Sequence, residues 1–439
     1  MTAAPETLMV SLPELLARAE KNAALVKDFN ALRRSAELKI TQVETNRWLS
    51  SLELKVIGGV VPDAKIDTSV PVPYNVSGAS DGKSFSNLGP FTRVEIEAVQ
   101  PIFTFGKISG YAEMASHAPE LASLENKKKL GEVRSLVKRA YYTLLLATDS
   151  SAILNEVQSK LNDASEKVEE LLIKNADNVS EIDRLKIRVF LADVKNRALD
   201  ADRGIKLSRS ALSELSSLAG DWELDQKTLQ AEKLADPNKA DIISIALRAK
   251  PELNQLQQVI QVKKAEKKVV MSDYFPTIFA GGKIEYASAP GRTDVSNPFL
   301  KNDFNYFNMG VILGLKQDLG FHRTYNKVDA VSAEIERMSA LFIQLEVKTR
   351  LDAERSFEEA VSAQEGIKIN EDGFRAARSW LTSAGLSFNL GTSETKDVLE
   401  SFAAYFKARA DLIKSVYTLN LALTDLSQTI GVEVVDRLK

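Results

Sequence analysis

The chain has 439 residues, of which 44% are hydrophobic and 27% are charged, and its formal net charge is −3. This charge supplies no basic surface of the kind that binds nucleic acid, so no nucleic-acid partner is expected. The absence of cysteine excludes disulfide bonds, thiolate metal sites and thiol nucleophiles within the chain. No run approaches about 18 consecutive apolar residues, which excludes a transmembrane helix.

Four segments alternate apolar and polar residues with the period of two that is typical of β-strands. Two long polar connections, residues 62–90 and 288–303, join these segments into two hairpins and predict solvent-exposed loops. The predicted strands span residues of about 50–62, 90–101, 276–287 and 304–316.

Long proline-free regions predict long helices on either side of the strands. Proline is absent from residues 120–236 and from residues 299–439, and proline interrupts helix interiors. Between residues 323 and 386 the apolar residues mostly recur every three or four positions, which is typical of helices that pack side by side. Pro119 predicts a kink or a helix restart near Ser116.

A sequence motif occurs once in each half of the chain. Residues 211–220 read ALSELSSLAG, and residues 422–431 read ALTDLSQTIG. Their separation exceeds the period of a solenoid repeat, which is roughly 20–50 residues, so it indicates a duplication with two equivalent halves. The predicted division is a first repeat over 1–220, a linker over 221–240 and a second repeat over 241–439, with tip turns at about 174–181 and about 388–393.

Four further motifs stand at defined points of this plan. Residues 100–107 read QPIFTFGK where a predicted strand meets the first long helix, and residues 390–400 read LGTSETKDVLE at the second tip turn. Residues 246–253 read ALRAKPEL, and residues 272–276 read SDYFP before a strand. In this order and spacing, the motifs resemble those of the TolC family of outer-membrane efflux channel proteins over essentially the whole chain.

The resemblance implies a mainly α fold with a β-barrel part. In this fold a homotrimer forms a twelve-stranded barrel in the lipid of the Gram-negative outer membrane, each chain giving four strands. The helices form a long α-helical barrel that extends into the periplasm. The strand count independently requires oligomerisation, because the smallest membrane barrels have about eight strands and unpaired strand edges are not tolerated in lipid.

The function that the resemblance implies is the exit duct of a tripartite efflux pump or a type I secretion system. The duct is passive, and its expected partners are a periplasmic adaptor (membrane fusion) protein, which opens it, and an inner-membrane transporter. The alternative is a coiled-coil scaffold of the cell envelope that transports nothing. A scaffold needs neither the strand alternation nor the long hairpin loops. The sequence identifies neither the exported substrate nor the pump.

Asp397 and Glu400 at the second tip are the leading candidates for pore residues. Residues three apart share one face of a helix, and the resemblance implies that these two acids form anionic rings at the periplasmic entrance. A second interpretation stays open, since acidic residues at a helix start complement the helix dipole in any case. Ser180 and Asp183 at the first tip likewise have the pattern of a helix N-cap pair.

The resemblance also implies a gate contact, in which an Asp of the first tip is held by a Tyr and an Arg of a neighbouring second tip. Asp183 matches the Asp, but Phe388 and Ser393 stand at the Tyr and Arg positions, and the tip turn itself contains Gly391 and Thr392. Phe388 lacks a hydroxyl and Ser393 lacks a charge, so the closed state is expected to be locked by other contacts.

The strand alternation assigns two different faces to the sheet. A glutamate is costly in a dry core, so the charged side fits a water-filled barrel lumen and the apolar side fits lipid. The predicted lumen residues are Arg93, Glu95 and Glu97, and the predicted lipid-facing residues are Val94, Ile96, Ile278 and Ile284.

No catalytic constellation, metal site or cofactor motif is apparent in the sequence. The two histidines, His117 and His322, lie far apart, and no Walker A or dinucleotide-binding motif is present. We therefore expect a protein that is not an enzyme and binds no metal or cofactor. Residues 1–5 contain neither a basic segment nor an apolar one, which leaves open whether a signal peptide has been removed.

Overall fold

The computed structural model describes residues 8–48, 51–62, 88–174, 179–234, 238–292, 302–390 and 392–435. Its helices are α1 (Leu12–Glu20), α2 (Ala23–Trp48), α3 (Lys107–Ser116), α4 (Ala118–Ile173), α5 (Glu181–Ser216), α6 (Lys239–Ala249), α7 (Pro251–Met271), α8 (Phe321–Asn389) and α9 (Thr395–Ile430). Its strands are β1 (Leu8–Val10), β2 (Ser51–Pro62), β3 (Leu88–Phe103), β4 (Trp222–Leu224), β5 (Thr277–Ser288) and β6 (Tyr306–Lys316). The predicted mainly α chain with a small β part is confirmed.

Some predicted features lie outside the described residues. These are most of the two hairpin loops, the first tip turn at residues 175–178, and Gly391 in the second tip turn. The described residues divide into two compact units. The helical unit comprises Met1–Arg33, Glu120–Gln257 and Ala340–Lys439, and the strand unit comprises Arg34–Pro119 and Gln258–Ser339.

The strand unit contains one four-stranded antiparallel sheet with the order β2-β3-β5-β6. The two predicted hairpins are present, and β3 of the first hairpin pairs with β5 of the second. A register shift between Pro101 and Phe103 interrupts this pairing near the end of β3, where proline cannot donate to the ladder. β2 and β6 are consequently edge strands of the sheet, and their outer backbone groups have no strand partner within the described chain.

The predicted helix break beside Pro119 is confirmed. α3 ends at Ser116 and α4 begins at Ala118, because proline is tolerated only in the first turn of a helix. α3 also packs closely on α7 in the strand unit. A Cβ atom added at Gly110 would lie only 2.6 Å from Val269 Cγ2, so the close approach of the two helices requires glycine at this position.

The helical unit has two main cores, and each contains one copy of the duplicated motif. The first copy ends α5, and its Leu212 is fully buried with Trp222 and Leu145. The second copy ends α9, and its Leu423 is fully buried beside Ile242 of α6. Each of these large side chains contributes about 1.5–3 kcal/mol of hydrophobic stabilisation when buried.

Two short pairings in the helical unit are absent from the predictions. β1 pairs in parallel with β4, so the first described residues lie beside the linker. A single bridge also joins Leu234 in the linker to Val435 after α9. Both pairings join the linker to other segments of the helical unit, namely Leu8–Val10 and the residues that follow α9.

Candidate functional site

One side of the four-stranded sheet, the apolar face, is covered by large exposed side chains. Val94 and Ile96 of β3 share this face with Ile278 and Ile284 of β5, because side chains alternate between the two faces along each strand. Val311 of β6 is 84% exposed. The face also includes Leu52, Leu54, Val56 and Val60 of β2 and Phe307, Met309, Leu313 and Leu315 of β6. Soluble monomers rarely expose an apolar patch of this extent, so the face requires an apolar neighbour.

The opposite side of the sheet, the polar face, carries its charged residues. Arg93, Glu95 and Glu97 of β3 lie on this face, as the alternation predicts. Glu95 is paired directly with Glu285 of β5. Lys283 Nζ lies 2.7 Å from Glu95 Oε1 and 2.8 Å from Glu285 Oε1. The two carboxylates are therefore held together by one lysine.

The two predicted tips lie at the same end of the helical unit. Val168 near the end of α4, Ile187 near the start of α5 and Leu399 near the start of α9 form a buried apolar cluster. This cluster fixes the first turns of α5 and α9 beside each other. The polar residues of both tips are therefore positioned by packing of the helix ends, and Val179 of the first tip turn packs against the same cluster.

Asp183 at the first tip belongs to a helix cap. The Asp183 carboxylate accepts hydrogen bonds from the Ser180 backbone N–H at 3.1 Å and from Ser180 Oγ at 2.7 Å. The Asp183 backbone N–H in turn donates to Ser180 Oγ at 3.4 Å, which completes a capping box. Lys186 Nζ lies 3.6 Å from Asp183 Oδ1. These contacts of the carboxylate thus lie within the first turns of α5.

Asp397 and Glu400 at the second tip are both exposed. The Asp397 backbone N–H donates to the Glu394 carbonyl, so Asp397 lies in the first turn of α9. Glu400 follows one turn later, and Lys396 Nζ lies 3.9 Å from Glu400 Oε1. An exposed pair at this distance is weak. The two carboxylates therefore remain accessible on adjacent turns of one helix face, as their spacing predicts.

The other predicted tip residues have separate roles within the second turn. Ser393 Oγ donates to Asp397 Oδ2 at 2.8 Å, so the serine at the expected arginine position binds the pore candidate directly. Thr392 donates to the Ser387 carbonyl through its backbone N–H at 2.9 Å and its hydroxyl at 3.0 Å. Phe388 is half-buried near the end of α8.

Outer-membrane channels match this structure over nearly the whole chain. CusC, described for the conformational changes that accompany its folding and transmembrane channel formation, matches with a TM-score of 0.77 and 15% identity, over 98% of this chain and 95% of CusC. The open MtrE outer membrane channel of Neisseria gonorrhoeae matches with a TM-score of 0.75 and 14% identity, over 98% and 90% of the two chains. The outer membrane protein VceC of Vibrio cholerae matches with a TM-score of 0.70 and 13% identity, over 96% of each chain.

The chain has the fold of TolC-family outer-membrane channels. The resemblance that the sequence motifs indicate is thus confirmed at the level of the fold. No protein-family model and no curated protein sequence matches the chain.

Two ion pairs of this TolC-like chain were not singled out from the sequence. The first is Lys283 between Glu95 and Glu285, which the strand alternation places on the polar face but whose register the sequence does not specify. The second joins Lys138 of α4 to Glu433 after α9, with Lys138 Nζ 2.5 Å from Glu433 Oε2. Burial lowers the pKa of Lys138, while the charge of Glu433 acts in the opposite direction.

Within the described ranges, no helix combines the length and the apolar character needed to cross a membrane. The same ranges contain no group of three His, Asp or Glu side chains that could hold a metal ion. His117 Nδ1 lies 2.8 Å from Gln258 Oε1 in the strand unit, so this histidine takes part in a contact between helices.

Proposed function

We propose that the protein is a passive exit duct in the outer membrane of a Gram-negative bacterium, extending into the periplasm. The observation that carries this proposal is the two-faced sheet with unpaired edges. An apolar face that exposes Val311, Leu313 and the other large side chains matches the solvent properties of lipid. The polar face with Glu95 and Glu285 is suited to a water-filled lumen.

The duct is a trimer in this proposal. The edge strands β2 and β6 each present a row of unpaired backbone groups, and such groups cost several kcal/mol each in a hydrocarbon layer. Pairing of β2 in one copy with β6 of the next removes both edges. Three copies of this four-stranded sheet give twelve strands, which exceeds the minimum of about eight for a membrane barrel.

The periplasmic entrance lies at the tips of the helical unit in this proposal. Asp397 and Glu400 are exposed and share a helix face, so three copies of each form two anionic rings. Rings of carboxylates favour cations and oppose anions. Asp183 is bound in its own capping box. Ser393 instead holds Asp397, which supports a closed state that does not depend on a contact between the two tips.

The chain contains no nucleotide-binding motif, so the proposed duct depends on partners for energy. We assign this role to an inner-membrane transporter, and we assign opening of the duct to a periplasmic adaptor protein. The similar channel folds support this kind of assembly. A scaffold without transport is disfavoured because nothing in that role requires the exposed apolar sheet face.

Two measurements test the proposal. Light scattering in detergent should give a trimer, and a stable monomer that retains its β-structure would contradict the shared barrel. In planar bilayers, divalent or trivalent cations added on the tip side should block conductance. Asp397→Ala combined with Glu400→Ala should abolish this block without affecting trimer assembly.

The matched control is Glu181→Ala, which removes an exposed carboxylate from the first turn of α5. This change also weakens a favourable interaction with a helix dipole, but it leaves the proposed rings intact. If cation block persists in the double variant, or is lost equally in the control, the proposed pore role of Asp397 and Glu400 is wrong. The two residues would then only stabilise the start of a helix.

A further inference from the structure

The charges on the polar face of the sheet form an ordered array. Glu95 and Glu285 are directly opposite each other on β3 and β5, an arrangement in which like charges repel and destabilise the sheet. Lys283 lies two residues before Glu285 on the same strand and therefore on the same face. Its ammonium group contacts both carboxylates, at 2.7 and 2.8 Å.

The exposure of these three side chains differs in a consistent way. The Lys283 side chain is 45% exposed, whereas those of Glu95 and Glu285 are 18% and 17% exposed. The lysine therefore covers the carboxylates and presents its own charge to solvent. Gly310 lies opposite Lys283 on β6, and a Cβ atom added there would meet no atom within 4 Å. The side of the lysine that faces β6 is thus open.

The charges of the face cancel. The described polar face carries four carboxylates and four cationic groups, which leaves no net charge per chain and makes each single charge significant. These groups are Glu53, Glu95, Glu97 and Glu285, and Lys55, Arg93, Lys283 and Lys316. Removal of Lys283 alone gives the face one net negative charge and uncovers two adjacent carboxylates.

We propose that Lys283 determines the ion preference of the barrel lumen by neutralising the Glu95–Glu285 pair. This inference rests on the proposed duct function and adds a second selectivity element, located in the strand unit, to the carboxylates of the helix tips. In a trimer, Lys283 recurs three times at one level of the barrel. The lysine keeps this level close to neutral, and its loss converts the level into an anionic ring that favours cations.

The experiment measures the potassium-to-chloride permeability ratio from the reversal potential of purified trimers in a KCl gradient. All variants carry Asp397→Ala and Glu400→Ala, so that the tip carboxylates do not dominate the ratio. A unit charge roughly 8 Å from a permeating ion in water changes its local concentration about twofold. Lys283→Met, which removes one positive charge per chain, should therefore raise the ratio about twofold or more. Glu95→Gln with Glu285→Gln removes two negative charges and should lower the ratio about fourfold or more.

Two further variants sharpen the comparison. Lys283→Arg keeps the charge and should keep the original ratio. The triple change of Lys283→Met with both glutamine substitutions should give a ratio between those of the parent and the double glutamine variant. The matched control is Lys206→Met, which removes one lysine from an exposed ion pair with Asp202 on α5 and should leave the ratio unchanged.

The outcomes separate the two levels of the proposal. Conducting trimers in which Lys283→Met and the double glutamine variant fail to move the ratio in opposite directions would refute the role of Lys283 and leave the duct intact. Trimers that do not conduct at all would refute the duct and this inference together. If Lys283→Met does not assemble, comparison of the triple variant with the double glutamine variant still decides, because only a charge contributed by Lys283 predicts a higher ratio in the triple variant.

Discussion

The buried ion pair between Lys138 and Glu433 supports the sharpest stability prediction. The Lys138 side chain is 3% exposed and that of Glu433 is 17% exposed. The second carboxylate oxygen of Glu433 accepts a hydrogen bond from Ser427 Oγ at 3.0 Å. The pair therefore connects α4 to the segment after α9. Lys138→Met keeps most of the buried volume but leaves the Glu433 carboxylate without its cation.

The expected cost follows from the geometry of the pair. Removing one partner of a buried ion pair costs about 3–5 kcal/mol, because the other charge stays buried without compensation. Glu433 retains the hydrogen bond from Ser427 and some contact with solvent, so we expect the lower end, about 3 kcal/mol. A loss of stability of this size accelerates amide hydrogen exchange through local opening about 100-fold.

Hydrogen–deuterium exchange of peptides covering residues 427–435 measures this opening. The control is Lys129→Met on the same helix, since Lys129 Nζ lies 2.5 Å from Asp28 Oδ2 in a more exposed pair. Exposed pairs contribute little, so exchange in the control should match that of the parent. Equal acceleration in Lys138→Met and Lys129→Met, or no acceleration in either, would refute the argument from burial.

The reciprocal change, Glu433→Gln, predicts a dependence on pH. Burial already lowers the pKa of Lys138, and the variant removes the carboxylate that opposes this shift. A lysine whose pKa is lower in the folded state binds fewer protons there than in the open state, so stability rises as pH rises from the folded pKa towards about 10.4. Protection of residues 427–435 should therefore increase with pH more steeply in the variant than in the parent. Parallel pH profiles would contradict this account.

Three further substitutions test separate parts of the structure. Val94→Arg should prevent formation of heat-modifiable trimers, because an arginine facing mid-membrane lipid costs roughly 2–4 kcal/mol. Glu95→Gln should assemble normally, and equal trimer yields of the two variants would contradict the assignment of the two sheet faces. Gly431→Ala should lower stability by about 1–2 kcal/mol, since Gly431 has a φ of +75° and an added Cβ would lie 3.1 Å from the Ala249 carbonyl oxygen; an unchanged thermal midpoint would contradict this. Ser180→Ala should destabilise the start of α5 by about 1 kcal/mol through loss of the capping box, seen as faster exchange at that helix start and not at the start of α9.

Most of the strand unit could be predicted from the sequence. Apolar and polar residues alternate around Val94 and Glu95 with the period of two that is typical of a β-strand. This pattern locates β3 and assigns its residues to two faces. The proline-free pattern likewise predicts α8, which continues without interruption for 69 residues. These features depend on residues that are close together in the sequence, so their pattern can be recognised without knowing the tertiary contacts.

The features that escaped prediction depend on contacts between distant residues. β1 and β4 have three residues each, which is too short for a period to be recognised. Lys138 and Glu433 are 295 positions apart, and neither is distinguished by a local motif. The contact of Lys283 with Glu95 depends on the register between β3 and β5, which follows from pairing of the two hairpins and not from either hairpin alone.

The candidate tip residues fall between these cases. The capping box of Asp183 was one of the two interpretations that the sequence supported, and the geometry of Ser180 is consistent with it. The hydrogen bond from Ser393 to Asp397 could not be foreseen from the resemblance. The resemblance implies an arginine at this position that contacts the first tip, whereas the serine present here contacts Asp397 of its own tip. The pore role of Asp397 and Glu400 remains a proposal that only transport measurements test.

Conductance of the purified trimer in a planar lipid bilayer tests the central claim most directly. The trimer should give discrete, cation-preferring conductance steps. These steps should become larger when Asp397 and Glu400 are both replaced by alanine, because the proposed constriction at the tips is then wider and uncharged. A heat-modifiable trimer that inserts into the bilayer and gives no conductance steps, before or after these substitutions, would contradict the assignment of this protein as a duct.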